Sequence, residues 1–423
     1  MSAISNGANV VFWGVVTFSI LVVLHEGGHF LAARAFGVKV HEFMIGLPGP
    51  ALRLRTKATT FGITAIPLGG YVRIAGMEPG REDPLMGPAL AAITRARRMS
   101  ASELALELGV EDEHADRLLI SLADWGAIQP DPESRDAYLA TADASLAEDE
   151  QALLDDARSV TYRGQPTWKR VLILSMGVVV NLATAVLIFT IVLSFFGYYQ
   201  QSLVIDKVLA NSGAKSAGLL AGDKIVSVEG VGVKDWNAFT TEVARYEAGD
   251  SVLIGFKREG ATRTTTAVLK SRPEGEGAFL GVQSSVEHVR PSPIAAVGES
   301  FKWTGMVFMS IRDLFRPSTF KQSIEGARSV VGISVEVARA VKNGPIDFAW
   351  LVALLSLSLG AMNILPIPPL DGGKIAIELV EKVIRRPLSR QLSLSLNAAG
   401  ALLLFSLIGY LVYADVVRYA GNG

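Results

Sequence analysis

The sequence predicts a polytopic α-helical membrane protein of about four transmembrane helices, with β-rich and helical modules between them. Half of the 423 residues are hydrophobic, 19% are charged and the mean hydropathy is +0.35. Soluble domains are usually nearer a quarter charged. Four runs lack Asp, Glu, Lys and Arg, and each reaches the roughly 20 residues that a spanning helix needs: 1–24, 171–205, 348–370 and 391–414.

The predicted segments follow from these runs. The first run lacks a basic n-region and a small-residue cleavage site, so it is interpreted as a retained helix and not as a signal peptide. Transmembrane helices are predicted at 8–36, 168–199 and 391–416, with a transmembrane segment at 348–386. Four further regions connect these segments, and their predicted bounds are 38–80, 81–160, 201–288 and 292–346.

The positions of Lys and Arg predict the orientation in the membrane. They cluster after the first segment, before the second, and between the third and fourth, whereas the N-terminus has none. By the positive-inside rule both termini are extracytoplasmic, the loops 37–168 and 374–390 are cytoplasmic, and 200–347 lies outside. The chain has no cysteine, so disulfide and thiol chemistry are excluded throughout.

The first apolar segment contains the motif His25-Glu26-Gly27-Gly28-His29. In a helix, residues i and i+4 share one face, so both imidazoles can bind one metal ion. The intervening glutamate is suited to take a proton from water activated by Zn²⁺. HExxH also occurs by chance in soluble helices, but ionisable groups inside a membrane are costly, and a metal offsets that cost. The two glycines indicate either a close approach by another element or a loose helix.

The third segment ends in Asn363-Ile-Leu-Pro-Ile-Pro-Pro-Leu-Asp371-Gly-Gly. Its prolines cannot continue a regular helix, and broken backbone at membrane depth is tolerated where it is buried or lines a wet cavity. Asp371 is therefore a candidate third zinc ligand. The alternative is that Asp-Gly-Gly forms a simple turn at the membrane boundary.

Together, HExxH and N-x-x-P-x-P-x-L-D-G resemble the paired signature of the site-2 protease family of intramembrane zinc metalloproteases, of the peptidase M50 type. The stretches HEFMIGLPGP, IPLGGYVRIAGM and SMGVVVNL, which ends in Asn181 and Leu182, are similar to its bacterial regulator-of-sigma-E protease branch. The resemblance implies Zn²⁺ as cofactor, bound by His25, His29 and Asp371, and a bacterial-type inner membrane location. It implies Glu26 as catalytic base, with Asn363, Gly69 and Gly70 in contact with substrate. The orientation predicted from Lys and Arg places the active site near the cytoplasmic side.

Residues 38–80 are predicted to form a membrane-associated β-hairpin or sheet. The alternation in LRLRTKATTF favours strands with one polar face. An exposed strand edge could hold an unwound substrate by main-chain hydrogen bonds; an ordinary cytoplasmic hairpin is the alternative. His41, at the start of this region, is expected on the surface.

Residues 201–288 resemble a PDZ domain, an α+β fold, on the stretch VLANSGAKSAGLLAGDKIVSVEGVGV. Such a domain binds a peptide as an added strand, and here it could admit only trimmed substrates. Residues 292–346 predict amphipathic helices at the outer membrane surface, or packed on the preceding domain.

Residues 81–160 resemble a winged-helix domain, with a helix, a turn and a second helix followed by a hairpin-like tail. This insertion carries 18 acidic and 7 basic residues, a balance of −11. This negative charge argues against nucleic acid as a partner, because binding of the phosphate backbone needs basic residues. A regulatory protein is the favoured partner for this cytoplasmic insertion.

The functional prediction is an intramembrane zinc endopeptidase that cleaves single-span membrane proteins. Its expected partners are these substrates and the membrane lipid around it. Anti-sigma factors and signal-peptide remnants are substrates that the resemblance implies. The first alternative is a catalytically inactive membrane scaffold, which Glu26 between the two histidines disfavours. The second is a metal transporter, which would need polar residues along a path through several segments.

Overall fold

The computed structural model describes residues 2–56, 58–67, 69–77, 82–134, 136–271 and 277–421. A 3₁₀-helix spans Ala144–Glu148. The α-helices are α1 (Ser2–Ala35), α2 (Met86–Ala96), α3 (Ala101–Leu108), α4 (Asp112–Trp125), α5 (Glu150–Ser159), α6 (Thr167–Phe196), α7 (Gly213–Ser216), α8 (Trp236–Val243), α9 (Pro293–Asp313), α10 (Pro317–Gly326), α11 (Val330–Asn343), α12 (Pro345–Asn363), α13 (Asp371–Ile384) and α14 (Arg390–Gly421).

The strands fall into four sheets within the described residues. They are β1 (Val40–Ile45), β2 (Ala51–Arg55), β3 (Thr60–Thr64), β4 (Gly70–Ile74), β5 (Arg98–Ser100), β6 (Ile128–Pro130), β7 (Ala137–Ala140), β8 (Tyr198–Val208), β9 (Lys224–Val228), β10 (Val231–Gly232), β11 (Ser251–Arg258), β12 (Ala261–Val268), β13 (Lys270–Ser271), β14 (Ala278–Phe279) and β15 (Val282–Val289).

Four described helices are long and apolar enough to cross a membrane, and they confirm the prediction of a membrane protein with four spans. The third differs from the predicted segment 348–386. Its apolar helix ends at Asn363, a non-helical stretch follows, and α13 is a separate helix. The spans are Gly7–Ala35, Thr167–Phe196, Pro345–Asn363 and Arg390–Val417.

The sheet after α1 has the strand order β2-β3-β1-β4. The pair β2 and β3 is antiparallel, as the alternating sequence favours, whereas β1 pairs with β3 in parallel. On β2, Leu52 is 83% exposed and Leu54 is 70% exposed, so one edge strand presents apolar side chains outward. The strand at the opposite edge, β4, packs along α1.

Residues 82–160 form a small module whose helices α2 to α5 surround a core that includes Leu90, Leu104, Leu119 and Trp125. Ser100 begins α3 with a capping box in which Glu103 is the partner, as the sequence pattern favours. Strands β5, β7 and β6 form a three-stranded sheet beside these helices. The winged-helix assignment stays a prediction.

The expectation that His41 lies on the surface is wrong. Its side chain is 16% exposed, and its ring nitrogen Nε2 bonds to the backbone carbonyl of Asp124 in α4. The Asp124 carboxylate accepts a hydrogen bond from the Gly76 amide at 2.8 Å. The helical module therefore docks on the sheet through partly buried polar contacts that a lone histidine in the sequence does not reveal.

Residues Ile191–Ala296 form a second compact unit, which we call the β-rich unit. Its main sheet has the order β12-β11-β9-β8-β15, with the short strand β10 beside β9. The core is apolar and includes Ile205, Ile225, Phe239 and Ile254.

Asp223 supports this unit from within. Its side chain is 1% exposed and accepts two hydrogen bonds from Arg258, both at 2.7 Å, and one from the Leu220 amide. The Arg258 guanidinium holds the pKa of this carboxyl below its usual range. Stabilisation is therefore present above about pH 4, and it is lost as the pH falls through the lowered pKa.

We expect Asp223→Asn to lower the free energy of unfolding of the β-rich unit by about 2 kcal/mol at neutral pH. The difference in the free energy of unfolding between variant and native chain shrinks in acid, because the native carboxyl then loses its charge by protonation. Hydrogen exchange of the β9 amides in the full chain measures it. Asp235→Asn is the control, because Asn caps α8 as well as Asp does. Equal exchange in the Asp223 variant and the native chain at neutral pH would contradict the role.

Candidate metal centre

Three sequence-predicted residues meet in one buried cluster. The Nε2 atom of His25 lies 2.9 Å from Oδ2 of Asp371, and Nε2 of His29 lies 3.1 Å from the same oxygen. The two Nε2 atoms are 3.3 Å apart. Both histidines are 7% exposed and Asp371 is 5% exposed. Residues 342 positions apart in the chain thus present two nitrogens and one oxygen to a common point.

The histidine positions follow from α1. Because the motif lies within a continuous helix, both rings emerge on the same face, one turn apart. The Nδ1 atom of His29 lies 2.8 Å from the carbonyl of Ile173 in α6. A carbonyl can only accept, so Nδ1 carries the proton and Nε2 keeps its lone pair for a metal.

Asn181, also on α6, fixes the second ring. Its side-chain amide nitrogen is 3.2 Å from Nδ1 of His25, and its Oδ1 is buried without a hydrogen-bond partner among the described residues. The two ends of an amide are nearly identical in shape. With the amide turned over, Oδ1 accepts from Nδ1–H, and the His25 Nε2 is free to bind a metal.

Helix α6 reaches the histidines because glycines line the contact. A Cβ atom at Gly28 would lie 2.7 Å from the carbonyl carbon of Met176 and 2.9 Å from the amide nitrogen of Gly177. A Cβ at Gly177 would lie 2.8 Å from the Cε1 atoms of both His25 and His29. At Gly27 a Cβ would meet nothing within 4 Å of the described atoms. The close-approach interpretation of the motif glycines therefore applies to Gly28 and not to Gly27.

We expect Gly28→Ala to reduce zinc occupancy and peptidase activity, because the added methyl group displaces α6 and the rings that it holds. Overpacking of this kind costs about 1–3 kcal/mol. Gly27→Ala is the matched control, adjacent on the same helix but facing open space, and it should retain both. Metal analysis of the two purified variants is the measurement, and equal losses in both would contradict the packing argument.

The broken third segment places Asp371. Between α12 and α13 the chain turns back at residues 364–370, with a cis bond at Pro368–Pro369. Gly372 packs on the carbonyl of Ile364, and Gly373 packs on Pro368, so neither position has room for a side chain. Asp371 is the first residue of α13, where the helix dipole favours a carboxylate. The alternative of a simple boundary turn does not account for its buried contacts with both histidines.

Glu26 lies between the two histidines on α1 and is half-buried. The side chains of His25, His29, Asp371 and Lys374 all lie near its carboxylate. Lys374 lies one turn along α13, with Nζ 3.4 Å from Oδ1 of Asp371. Glu26 is not one of the three donor residues, so its carboxylate is free to take a proton from a group bound beside them.

The three proposed substrate-contacting residues occupy different places. Asn363 ends α12, is 8% exposed, and donates from Nδ2 to the Leu359 carbonyl. Gly69 has a φ of 84°, and its carbonyl accepts from the Gly46 amide. Gly70 begins β4, and a Cβ there would lie 3.6 Å from Val22, one turn before His25 on α1. The edge strand thus starts beside the histidine motif.

Sequence reasoning missed the polar contacts that join α13 to α6 and to the segment just before it. The Tyr162 hydroxyl donates to Glu378 at 3.0 Å, and Arg170 pairs with the same carboxyl at 2.9 Å. Burial beside Glu378 raises the pKa of Tyr162, so its hydroxyl stays protonated and keeps donating. These residues are scattered singly through the sequence, and only the fold brings them together.

The donor set fits Zn²⁺. Catalytic zinc takes three protein ligands from His and carboxylate side chains and keeps a further position for water. The three donor atoms here lie within 4.8 Å of one another, and all three residues are buried. With Nδ1 of each ring held by α6, both Nε2 atoms and the Asp371 carboxylate are oriented toward the same point.

Comparison with known proteins agrees with this geometry. Residues 13–407 match the sequence profile of peptidase family M50. The zinc metalloprotease RasP of Shouchella clausii is 28% identical over 97% of this chain and 99% of its own length. The putative zinc metalloprotease mll0638 of Mesorhizobium japonicum is also 28% identical, over 97% and 98%. The solved PDZ domain of an SdrC-like protein from Listeria monocytogenes is 20% identical and covers 20% of this chain and 87% of its own, with a TM-score of 0.19.

The family match spans nearly the whole chain, from the first transmembrane helix to the last. It includes both halves of the candidate metal centre, the histidine motif of α1 and the aspartate of α13. The prediction of a metallopeptidase is therefore confirmed. This chain belongs to peptidase family M50.

Proposed function

We propose that the chain is an intramembrane zinc endopeptidase that cleaves single-span membrane proteins within or near their transmembrane segments. The observation that carries this proposal is the buried cluster of His25, His29 and Asp371, with Glu26 beside it, inside a protein of four apolar spans. A soluble substrate would not require a centre built between membrane helices.

Each residue of the centre has one role. His25, His29 and Asp371 would hold Zn²⁺, which when bound supplies Lewis acidity to the scissile carbonyl and to water. Glu26 takes the proton of the attacking water and delivers it to the departing amine. The Ile173 carbonyl and Asn181 keep each Nδ1 protonated, so both imidazoles stay in the form that binds the metal. Packing of α6 on Gly28 excludes bulk water from that side.

The substrate would be presented as an extended strand. A transmembrane helix hides its amides, so its peptide bonds must be exposed before hydrolysis. Strand β4 is the last strand of its sheet and begins beside α1, and an edge strand can offer main-chain hydrogen bonds to an extended peptide. Gly69 and Gly70 would let the substrate approach this edge closely. Asn363 would exchange its bond to Leu359 for one to the substrate backbone.

The β-rich unit is proposed to act as a PDZ domain that limits which substrates are cleaved. A groove of about 660 Å³ runs between α8 and residues 278–283. Its walls include the apolar side chains of Trp236, Phe239, Val243 and Leu280. An extended peptide can add to a strand there and bury alternate side chains against the helix.

The proposed location rests on charge and on family. The Lys and Arg pattern favours extracytoplasmic termini and a metal centre near the cytoplasmic side. The family match and its bacterial relatives favour a bacterial-type inner membrane. The acidic insertion at 81–160 would then be cytoplasmic, where its charge suits a protein partner better than a nucleic acid.

Reconstitution tests this function. The purified chain is placed in liposomes with a single-span protein, and the cleavage site is mapped by mass spectrometry. We expect a cut within or next to the span, loss of cleavage with a membrane-permeable chelator, and recovery with Zn²⁺. Cleavage confined to remote loops of the substrate would contradict intramembrane proteolysis. Zinc binding with no cleavage of any single-span substrate would favour the inactive scaffold.

A further inference from the structure

A basic pocket lies at one end of two membrane spans, remote in sequence from the histidine motif. It has a volume of about 300 Å³. Arg170, in its wall, belongs to the first turn of α6, and Pro387 precedes the first turn of α14. Because both spans begin here, the pocket lies where the apolar part of the protein gives way to the polar boundary, at the depth of lipid headgroups.

The charges of the pocket do not cancel. Six cationic side chains and two carboxylates line it. Arg158 pairs with Glu82, and Arg163 lies 3.8 Å from Glu381. Arg170 pairs with Glu378, just outside the wall. The other three cations have no carboxylate within 4.0 Å among the described residues, and they are Lys382, Arg385 and Arg386.

The backbone turn that carries the unpaired cations is held in place. Arg385 follows the last residue of α13 as its C-cap, and it has a φ of 55°, a left-handed conformation that is uncommon outside glycine. The Glu381 side chain accepts a hydrogen bond from the Leu388 amide at 2.9 Å and so secures the turn after the helix. Lys and Arg are common at the C-terminal ends of helices and at membrane boundaries. Neither preference explains why basic side chains of α5, α6 and α13 converge on one cavity.

A buried donor also lacks its acceptor. The Nε atom of Arg170 is buried and has no hydrogen-bond partner among the described residues. One outer nitrogen of its guanidinium donates to Thr167, and the other lies 2.9 Å from Oε2 of Glu378, an oxygen that is itself buried without a hydrogen bond. Buried polar groups are almost always satisfied. Clusters of arginine match the oxygens of phosphate in geometry and charge.

We propose that this basic pocket binds a phosphate-bearing anion. The position at the start of two spans favours the headgroup of an anionic phospholipid as its source. Free phosphate groups share the same chemistry and form the second arm of the test. This site is independent of the peptidase centre.

The test uses the purified full chain in a nonionic detergent. Phosphatidylglycerol retained per chain is counted by native mass spectrometry against phosphatidylcholine, and thermal unfolding is followed with added inorganic phosphate. The double variant Arg385→Ala/Arg386→Ala removes two unpaired cations. Arg34→Ala/Arg95→Ala is the charge-matched control outside the pocket. Lys382→Gln is a second, milder variant that keeps the test valid if the double variant does not fold.

We expect the native chain and the control to prefer phosphatidylglycerol, with about tenfold weaker retention in the double variant and a smaller loss in Lys382→Gln. A second outcome is that inorganic phosphate raises the unfolding temperature of the native chain but not of the pocket variants, and that no lipid is preferred. This outcome would support the same site with a soluble anion as its ligand. Equal binding of both ligands by native chain and pocket variants, or an equal loss in the control, would overturn the proposal.

Discussion

Glu26→Gln is expected to lower the rate of peptide cleavage by about 10²–10⁴-fold while zinc remains bound. The amide has the shape of the carboxylate but cannot take a proton from water, and general base catalysis typically contributes a factor of this size. The three donor atoms of the centre come from other residues, so metal binding should persist. The measurement is single-turnover cleavage in liposomes with zinc analysis of the same preparation.

The control for this variant is Lys374→Met, which changes a charge that acts on Glu26 without removing the proposed base. It should retain most of the activity. If the Glu26 variant binds zinc and cleaves as fast as the native chain, Glu26 is not the base.

Asp371→Ala is expected to weaken zinc binding by at least about 100-fold, with activity falling in parallel. It removes the only carboxylate of the described donor cluster and leaves two imidazoles, which is one ligand fewer than catalytic zinc normally has. Competition with a fluorescent zinc chelator gives the affinity of each purified variant.

Lys374→Met serves here as well, because Lys374 contacts Asp371 without belonging to the donor cluster. Native zinc affinity in that variant combined with a large loss in Asp371→Ala would identify the carboxylate as the ligand. Full zinc retention in Asp371→Ala would remove it from the site.

The sequence predicts the centre because its constraints are local. HExxH is informative since helical periodicity alone aligns His25 and His29. The run of prolines before Asp371 is informative since proline cannot continue a helix. The four spans are readable because a bilayer imposes a length and an apolar composition on each.

Other features depend on contacts between distant segments, and the sequence does not disclose them. Asn181 is one polar residue in an apolar helix, and its role beside His25 follows only from the packing of α6 on α1. The same packing distinguishes Gly28 from Gly27, which are identical as letters. His41 and Asp124 meet because the helical module docks on the sheet.

The third segment shows where local reasoning stops. Its prolines predict a break, and the structure has one, but the break divides the segment into a span ending at Asn363 and a separate helix that starts at Asp371. The polar contacts of Glu378 in α13 come from Tyr162 and Arg170, more than 200 residues earlier in the chain. No periodicity in the segment itself encodes them.

X-ray absorption at the zinc edge of the purified, active chain shows which atoms surround the metal. We expect one zinc ion per chain, bound by two imidazole nitrogens and by oxygen, and the loss of one imidazole in His29→Ala. A first shell of oxygen alone, or an imidazole count unchanged in His29→Ala, would contradict a centre built from His25, His29 and Asp371.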